Sequence, residues 1–498
     1  MSVPPPMLAE RRLDWRVLVV HTLTFKQARA ILSSAGPLAL IVALQGNLGS
    51  FGLIAIAVLV TIASLVFSAL RWWRFSYQID AHRLLVRQGL VSRSERAVPL
   101  DRVRGVDVEA SPLHQLFRIA VLRVDAAAGT GADDEAVLDA VSLTDAGRLR
   151  ELLLMQRVVD RSAVPAAEAV EAAEAAPRAP EVAAERVFAR LDPRWLLYAP
   201  LVGSYLAVPL AIGATLLREV DSLPIPAGLR DLVEIPEQAG AGRIVLSLLG
   251  ALAVVVVGAL LAGAVANWGF VLASRGSNLV AQRGLLTRRT VSLEIDRIRG
   301  YVLSQGLGIR LVRAARLTAL VTGLGDQNRR GQLLPLGPLH VAEEVAAAAV
   351  RRFDTPLLAH PPAALRRRLF RAIGPPALVA VVLALLDLPV AATIAAVVAV
   401  ASVALGVDRY RALGHAADAG ALAVRSGSVL RRRVVLEQRA LVGWRVRQSW
   451  FQRRAGLVTV IACVGAGEGG YDVLDCSTAQ GLDLVAAVSP GWSAAISW

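Results

Sequence analysis

Along the chain, charge-free hydrophobic stretches alternate with segments in which apolar and polar positions take turns. The charge-free stretches are long enough to cross the roughly 30 Å of hydrocarbon in a bilayer as helices. They cover residues 30–49, 51–70, 195–217, 244–274 and, with one interruption at Asp387, 372–407. At about 1.5 Å per residue the last stretch suffices for two crossings that turn at "LDLP". We therefore predict six transmembrane helices arranged as three hairpins.

Each hairpin is followed by a segment in which apolar residues recur at every second position. Val98 and Leu100 show this spacing after the first hairpin, and Val291, Leu293 and Ile295 show it after the second. A period of two is typical of strands with one buried face. An Ala/Leu-rich stretch typical of a helix closes each segment. The pattern predicts a small antiparallel sheet or sandwich capped by a C-terminal helix.

The three segments are copies of one sequence. A shift of 195 residues places Gly89 on Gly284, and a further shift of 143 residues places Gly284 on Gly427. Each shift holds over a whole segment, and such a repeat indicates one structural unit used several times. The predicted fold class is therefore membrane α + β, with three hairpins that each lead into one β-rich module.

The repeat also predicts the domain boundaries. The first module and the second hairpin are separated by a stretch rich in Ala, Glu and Pro, whose composition favours a tether over a domain. The predicted segments are an N-terminal segment 1–29, hairpin 30–70, module 71–158, linker 159–194, hairpin 195–266 with an external loop at 218–243, module 267–353, basic linker 354–371, hairpin 372–407 and module 408–498.

The basic residues lie on one side of the predicted membrane. The chain has a net charge of +14, and at most three of its 54 basic residues fall in the short loops inside the three hairpins. Positively charged loops stay in the cytoplasm. We therefore expect a multi-pass membrane protein whose termini and three modules are all cytoplasmic.

Several stretches resemble bacterial membrane proteins that carry pleckstrin-homology-like (PH-like) domains. They are "RWWRFSYQID" (71–80), "RQGLVSRSERAVPLDRVRGVDV" (87–108) and "SPLHQLFRIAVLRV" (111–124), with counterparts "LVAQRGLLTRRTVSLEIDRIRG" and "RSGSVLRRRVVLEQRALVG" in the second and third copies. The resemblance implies three PH-like modules, each with two roughly orthogonal antiparallel sheets closed by a helix. It also implies location in the bacterial cytoplasmic membrane, no enzymatic activity, and a shorter one-module relative as a protein partner. The third copy departs at Arg439, Ala440 and Trp450, which leaves room for a different partner.

The sequence offers no convincing catalytic or metal-binding pattern. The loop "GAGEGG" (465–470) superficially matches a glycine-rich phosphate loop, but a strand-like stretch follows it instead of a helix. The six histidines lack the spacing of metal ligands. Asp387 lies at the predicted turn of a hairpin, where a solvated side chain is expected. We therefore expect a protein that is not an enzyme and has no catalytic residue, metal or cofactor.

The best remaining indication of a binding surface is a set of arginines that follow the first glycine turn of each module. A basic residue close to an anionic bilayer surface contributes about 1 kcal/mol of attraction. Three roles stay open for these arginines, namely a solvated loop, contact with anionic headgroups and contact with a protein partner. Nucleic acid is not expected, because no aromatic platform accompanies the charges. The candidates are Arg93, Arg96, Arg288, Arg289, Arg431, Arg432 and Arg433.

Tryptophans near the ends of the predicted spans are typical of interfacial anchors. These are Trp72, Trp73, Trp195 and Trp268. Together the patterns predict a scaffold that presents PH-like modules to membrane lipid or to protein, and a homo-oligomer stays open. The alternative is a component of a transport or resistance system whose six spans form a pathway.

Overall fold

The computed structural model describes residues 8–12, 72–80, 83–88, 94–99, 103–126, 135–149, 186–218, 241–322 and 331–493, together with isolated positions before residue 72. The chain divides into two compact units. Unit 1 comprises residues 1–183 and 286–292, and unit 2 comprises residues 184–285 and 293–498.

Unit 1 holds the first module, which is built from two antiparallel sheets. The first sheet has the order β1-β2-β3-β4, with β1 (Leu8–Arg12), β2 (Ser76–Ile79), β3 (Arg83–Gln88) and β4 (Ser94–Pro99). The second contains β5 (Val103–Ala110), β6 (Ile119–Ala126) and β7 (Glu135–Ser142), with helix α1 (Pro112–Leu116) between β5 and β6. Leu84, Leu122 and Leu138 are fully buried in the core, as the period-two pattern requires. Residues 143–149 are helical.

The second module lies in unit 2, apart from residues 286–292, which belong to unit 1. It repeats this order and begins before its own membrane segment. Strand β8 (Arg186–Arg190) precedes the helices α2 (Gly203–Arg218) and α3 (Ala241–Asn267), and it pairs with β9 (Val271–Arg275), which follows them. In unit 1, β1 pairs with β2 in the same way. The remaining elements are β10 (Asn278–Arg283), β11 (Arg288–Glu294), β12 (Ile298–Gly306), α4 (Leu307–Leu311), β13 (Ala314–Val321), β14 (Gln332–Pro338) and α5 (Leu339–Ala349).

The third module follows the helices α6 (Pro362–Leu385) and α7 (Pro389–Arg411). Its apolar core includes Leu422, Val460 and Val485, all buried between the two sheets and the closing helix. Its elements are β15 (Gly414–Asp418), β16 (Ala421–Gly427), β17 (Leu430–Glu437), β18 (Leu441–Arg447), α8 (Trp450–Arg454), β19 (Leu457–Val464), β20 (Gly470–Ser477), α9 (Thr478–Val488) and α10 (Pro490–Ser493).

Equivalent positions of the repeat have equivalent local structure. Arg118, Arg313 and Gly456 follow the short helix of their modules, and all three have a positive φ, between 51° and 64°. The amide of Gln305 donates to the carbonyl oxygen of Ala314 at 2.9 Å, and that of Gln448 donates to Leu457 at the same distance. The shifts found in the sequence therefore bring together residues with the same backbone conformation and the same hydrogen bonds.

The membrane helices differ in part from the six predicted spans. Three helices among the described residues are long and apolar enough to cross a membrane, namely Val245–Asn267, Pro362–Leu385 and Pro389–Arg411. The predicted first hairpin (30–70) lies outside the described residues, apart from isolated positions. The predicted span 195–217 is instead a 3₁₀ segment, Pro193–Leu201, followed by the 16-residue helix α2. Pro200 lies in the 3₁₀ segment, and proline interrupts regular helix hydrogen bonding.

Two span boundaries also move. Helix α6 begins at Pro362, inside the segment predicted as a basic linker, and a buried carboxylate of the third module holds the arginines near its start. The charge-free stretch 244–274 extends past α3 into β9, whose uncharged residues belong to a sheet. The predicted turn at "LDLP" separates α6 from α7, and Asp387 there is exposed with a φ of 52°.

Candidate functional site

In unit 2 the second and third modules share one sheet. Strand β12 pairs with β17 in antiparallel register from Gly300 opposite Leu436 to Gly306 opposite Leu430. The resulting six-stranded sheet has the order β14-β13-β12-β17-β16-β15. An added Cβ at Gly300 (φ +153°) would overlap the carbonyl oxygen of Val435 in the opposing strand. The glycine therefore allows the close approach of the two modules.

Three of the candidate arginines lie side by side on β17, which faces β12. The guanidinium of Arg431 donates to Asp408 at 3.1 Å. Arg310, from α4 of the second module, makes two further bonds to this carboxylate at 2.9 and 3.2 Å, and the hydroxyl of Ser428 donates to it at 2.8 Å. Asp408 lies in the last turns of α7, so one carboxylate joins a membrane helix to two modules. Charge-assisted bonds of this kind are stronger than neutral ones.

The other two arginines of β17 also contact protein groups. Arg433 donates to the carbonyl oxygen of Phe353 at 3.3 Å, lies over the ring of Phe353 and is 3.6 Å from Glu343. Arg432 donates to Glu468 at 2.8 Å in an exposed pair. Exposed pairs contribute little to stability, whereas the partly buried contacts of Arg431 and Arg433 fix the orientation of β17.

In unit 1 an arginine of the second repeat meets the first module. Residues 286–292 belong to this unit, and β11, which contains most of them, is the neighbour of β5 in the sheet order. Arg289 donates to Glu109 of β5 at 2.7 Å. The side chain of Arg288 is exposed and has no ion-pair partner in the part of the chain that the structure describes. Arg93 and the side chain of Arg96 lie outside the described part.

The structure thus brings Arg431, Arg432 and Arg433 together and places Arg289 at a separate junction. Four of the predicted candidates contact carboxylates or backbone oxygens of the protein itself. Contact with anionic headgroups stays a prediction, and Arg288 is the described candidate best placed for it. The sequence showed that the arginines repeat but gave no sign of their long-range carboxylate partners.

A buried cluster around Asp475 was not predicted. Asp475, 1% exposed, accepts from Arg367 and, at 2.6 Å, from Arg368, both near the start of α6. The amide of Gln452 donates to the same carboxylate at 2.8 Å. A buried carboxylate needs such partners, because burial of a lone charge is strongly unfavourable. The aspartate within the apolar strand "YDVLDC" and the arginine run at 366–368 were the available signals.

Two histidines extend this cluster. A ring nitrogen of His415 lies 3.0 Å from one of His360, and the other ring nitrogen of His360 lies 3.3 Å from the carbonyl oxygen of Asp475. Burial, together with the nearby His360, lowers the pKa of His415 to about 4. Burial also lowers the pKa of His360, although its hydrogen bonds to the backbone oppose this effect. Both imidazoles are therefore neutral at pH 7, and the hydroxyl of Tyr410 donates to the carbonyl oxygen of His360 at 2.9 Å.

The predicted tryptophan anchors have different surroundings. Trp73 and Trp268 are 57% and 53% exposed, as side chains in contact with a lipid interface would be in the absence of lipid. Trp72 packs against the core of the first module, and Trp195 is half-buried beside Gly337. These two therefore have packing roles that the sequence did not show.

Three features of the described residues bear on metal binding and catalysis. Among them no group of three or more His, Cys, Asp and Glu side chains could hold a metal ion. An open cavity of about 770 Å³ lies between the second and third modules, but Arg316 and Arg432 in its wall already contact Ser204 and Glu468. Cys463 and Cys476 are free, and burial raises the pKa of the Cys476 thiol to about 12, so it is unreactive in the folded state.

Apolar helices, together with repeated two-sheet modules that form ion pairs with the ends of those helices, define the class of this membrane protein. The family described as bacterial PH domain matches residues 35–157, 227–352 and 377–485, more than half of the chain. The chain therefore belongs to the bacterial PH domain family, and the three-copy resemblance is confirmed.

A curated relative is also a membrane protein. The chain is similar to the UPF0699 transmembrane protein YdbT of Bacillus subtilis (strain 168), with 22% identity over 336 residues, which is 65% of this chain. The match spans 66% of the relative, just under two thirds of its length. No solved structure matches the chain. The chain is thus a membrane-associated protein with PH domains.

Proposed function

We propose that this protein is a non-enzymatic membrane scaffold that presents its PH-like modules at the cytoplasmic leaflet for assembly with protein. The observation that carries the proposal is the continuous sheet formed by β12 and β17. Two modules that share a sheet move together, since every paired strand contributes backbone hydrogen bonds. Such a body presents surfaces with fixed spacing.

The attachment of this body to the membrane helices supports the same function. Asp408 ties the end of α7 to Arg310 and Arg431, and Asp475 ties the start of α6 into the third module. Breaking the buried ion pairs of Asp475 would leave uncompensated charges, which typically costs about 3–5 kcal/mol. The hairpin therefore holds the third module in a defined orientation instead of tethering it loosely.

The orientation relative to the membrane rests on charge. The arginine-poor loops favour an external location, which leaves the modules in the cytoplasm. There the exposed Arg288 and other basic residues can contact anionic headgroups. Lipid contact would then orient the scaffold, while protein partners use the remaining surface.

The third hairpin gives the transport alternative little support. Thr393 and Ser402 in α7 each donate to a carbonyl oxygen four residues earlier in the same helix, at 2.8 Å. These hydroxyls are satisfied locally and do not form a polar path. The carboxylate of Asp387 lies at the turn, and that of Asp408 is held by arginines.

Extraction of the full-length protein from its own membranes in polymer-bounded lipid discs tests the scaffold function. Mass spectrometry and light scattering of the discs should find a second protein in near-stoichiometric amount. A protein recovered alone would contradict the proposal. In a parallel experiment, liposomes that contain the protein should release trapped Na⁺ and K⁺ no faster than empty liposomes, and faster release would favour transport.

A further inference from the structure

Strand β18 is the third copy of a strand that, in its other two copies, lies beside a strand of the following repeat. The shift of 143 residues places β12 on β18, and the shift of 195 residues places β5 on β12. Strand β12 is paired with β17 of the following module, and β5 is next to β11, a strand of the second repeat. Among the described residues β18 lies at the edge of the three-stranded sheet β18-β19-β20. An edge strand has unpaired backbone groups to which another strand can add.

Sequence and exposure both distinguish this edge. A glycine stands at the same place in all three strands, as Gly105, Gly300 and Gly443. At Gly300 the glycine makes room for the backbone of the paired strand, and the edge strand has the same residue type at this place. Val442 is 69% exposed, and Arg445 is also exposed. Arg447 lies 3.9 Å from Asp472, with 68% of its side chain exposed.

The charge of the edge identifies the chemistry of the occupant. Asp107 and Glu109 lie on β5, and Glu109 binds Arg289 from the adjacent strand. The equivalent positions on β18 are Arg445 and Arg447, so the sign of the charge is inverted. Residues directly opposite each other across a strand pair attract when their charges differ and repel when they are alike. The incoming strand should therefore carry carboxylates at these places.

A second copy of this chain does not meet this requirement. Its β4 is the strand that corresponds to β11 and β17, and in the register of the β12–β17 pair it would place Arg96 opposite Arg445 and Ser94 opposite Arg447. Two arginines would then face each other. Because charge repulsion disfavours the equivalent strand of a second copy, we assign the complementary strand to another protein.

We propose that β18 pairs in antiparallel register with the edge strand of a PH-like module of a different protein, with carboxylates opposite Arg445 and Arg447. This inference rests on the proposed scaffold function and specifies its partner. The third module thereby repeats the arrangement of β12 and β17, with the junction lying between two proteins instead of between two modules of one chain. The partner strand occupies the place that β17 occupies on β12.

A photoreactive benzoylphenylalanine at Val442 of the full-length protein, in the membranes of the bacterium that carries it, tests this pairing. We expect a covalent adduct with a protein that has a bacterial PH module, at a strand with two acidic residues in alternate positions. The same probe at Phe451, which is 66% exposed on α8, should give much less of this adduct. An adduct with a second copy, with lipid or with a protein of another fold would overturn the proposal, as would no adduct.

Charge reversal supplies the second measurement. Arg445→Glu combined with Arg447→Glu should lower the yield of adduct about tenfold, because carboxylates would then oppose carboxylates. Arg453→Glu combined with Arg454→Glu makes the same change in net charge in the same module and should leave the yield unchanged. Equal yields from both double variants would refute the proposed pairing. If a stoichiometric partner is present in lipid discs but Val442 gives no adduct, the strand proposal fails and the scaffold function survives.

Discussion

The two sides of the third module differ in how their charges are used. We call closed the part of the module whose charges are paired. There β17 joins β12, and the carboxylates of Asp408 in α7 and Asp475 in β20 hold arginines of α4, β17 and α6. On the open side, β18 presents exposed arginines from the edge of its sheet. Gly300 and Gly443 occupy the same place in the repeat, yet among the described strands Gly300 is paired on both sides and Gly443 on one side alone. Equivalent residues of a repeat protein can therefore have different roles, because different elements lie opposite their strands.

This contrast implies that substitutions on the closed side should destabilise the protein, whereas substitutions on the open edge should affect assembly alone. Unfolding can be followed in lipid discs by the reaction of Cys476 with a maleimide, in a Cys463→Ser background. The Cys476 side chain is fully buried, so it reacts only when the third module opens.

Asp475→Ala should have the largest effect. It removes the carboxylate that both Arg367 and Arg368 contact and leaves two mostly buried guanidinium groups without it. We expect a loss of about 3–5 kcal/mol in the free energy of unfolding. Asp472→Ala changes the same residue type on the same strand, where the side chain is 37% exposed, and should cost less than about 1 kcal/mol. Equal maleimide rates for the two variants would show that the cluster does not stabilise the closed side.

Acid should weaken the closed side next. The pKa of His415 falls from its ordinary value of 6.5 to about 4 in the folded protein. The unfolded chain thus binds a proton more readily, so the stability from the neutral imidazole is complete above about pH 6.5 and is lost as the pH falls towards 4. The expected loss is about 3 kcal/mol, from about 1.4 kcal/mol per unit of pKa shift.

A variant isolates this effect. His415→Gln should flatten the dependence of maleimide reaction on pH between 6.5 and 4, because glutamine does not titrate. His360, with Asp475 and Arg368 beside it, keeps its own response to pH. An unchanged pH profile in the variant would assign the acid sensitivity to another group.

Gly300→Val should cost about 1–3 kcal/mol, as overpacking commonly does. The added side chain meets the carbonyl oxygen of Val435 and separates β12 from β17. Gly443→Val is the matched control at the open edge and should leave maleimide reaction of Cys476 almost unchanged while lowering cross-linking from Val442. Similar destabilisation by both substitutions would remove the distinction between closed and open sides.

Asp408→Asn should have the smallest effect, about 1 kcal/mol, since the carboxylate is 25% exposed and solvent screens its ion pairs. Asparagine keeps the size but loses the charge that Arg310 and Arg431 contact. Asp387→Asn at the exposed turn is the control and should be neutral. Thermal unfolding of both variants in lipid discs provides the comparison, and a larger effect at Asp387 would place the important carboxylate at the other end of the hairpin.

The sequence predicts local patterns well and long-range partners poorly. The period-two spacing around Val291 and Leu293 identified a strand, and the spacing of Gly284 and Gly427 identified the repeat, because both depend on neighbouring residues alone. The start of α6 at Pro362 was missed, because Arg367 and Arg368 resemble a solvated linker until Asp475 is seen beside them. The partners of Arg289 and Arg431 were missed for the same reason.

Short strands that precede membrane segments were missed for a different reason. β1 and β8 each contain five residues, too few for a clear alternation, and each is completed by a strand on the far side of a hydrophobic stretch. The adjacent Val187 and Phe188, large apolar residues inside the predicted linker 159–194, were the available signal.

Hydrogen exchange of the full-length protein in lipid discs, without its partner, tests the central claim most directly. Amides of β12 have strands on both sides and should be protected throughout, whereas every second amide of β18 should exchange rapidly. Equal protection of residues 298–306 and 441–447, or rapid exchange in β12, would contradict the closed and open sides described for the third module.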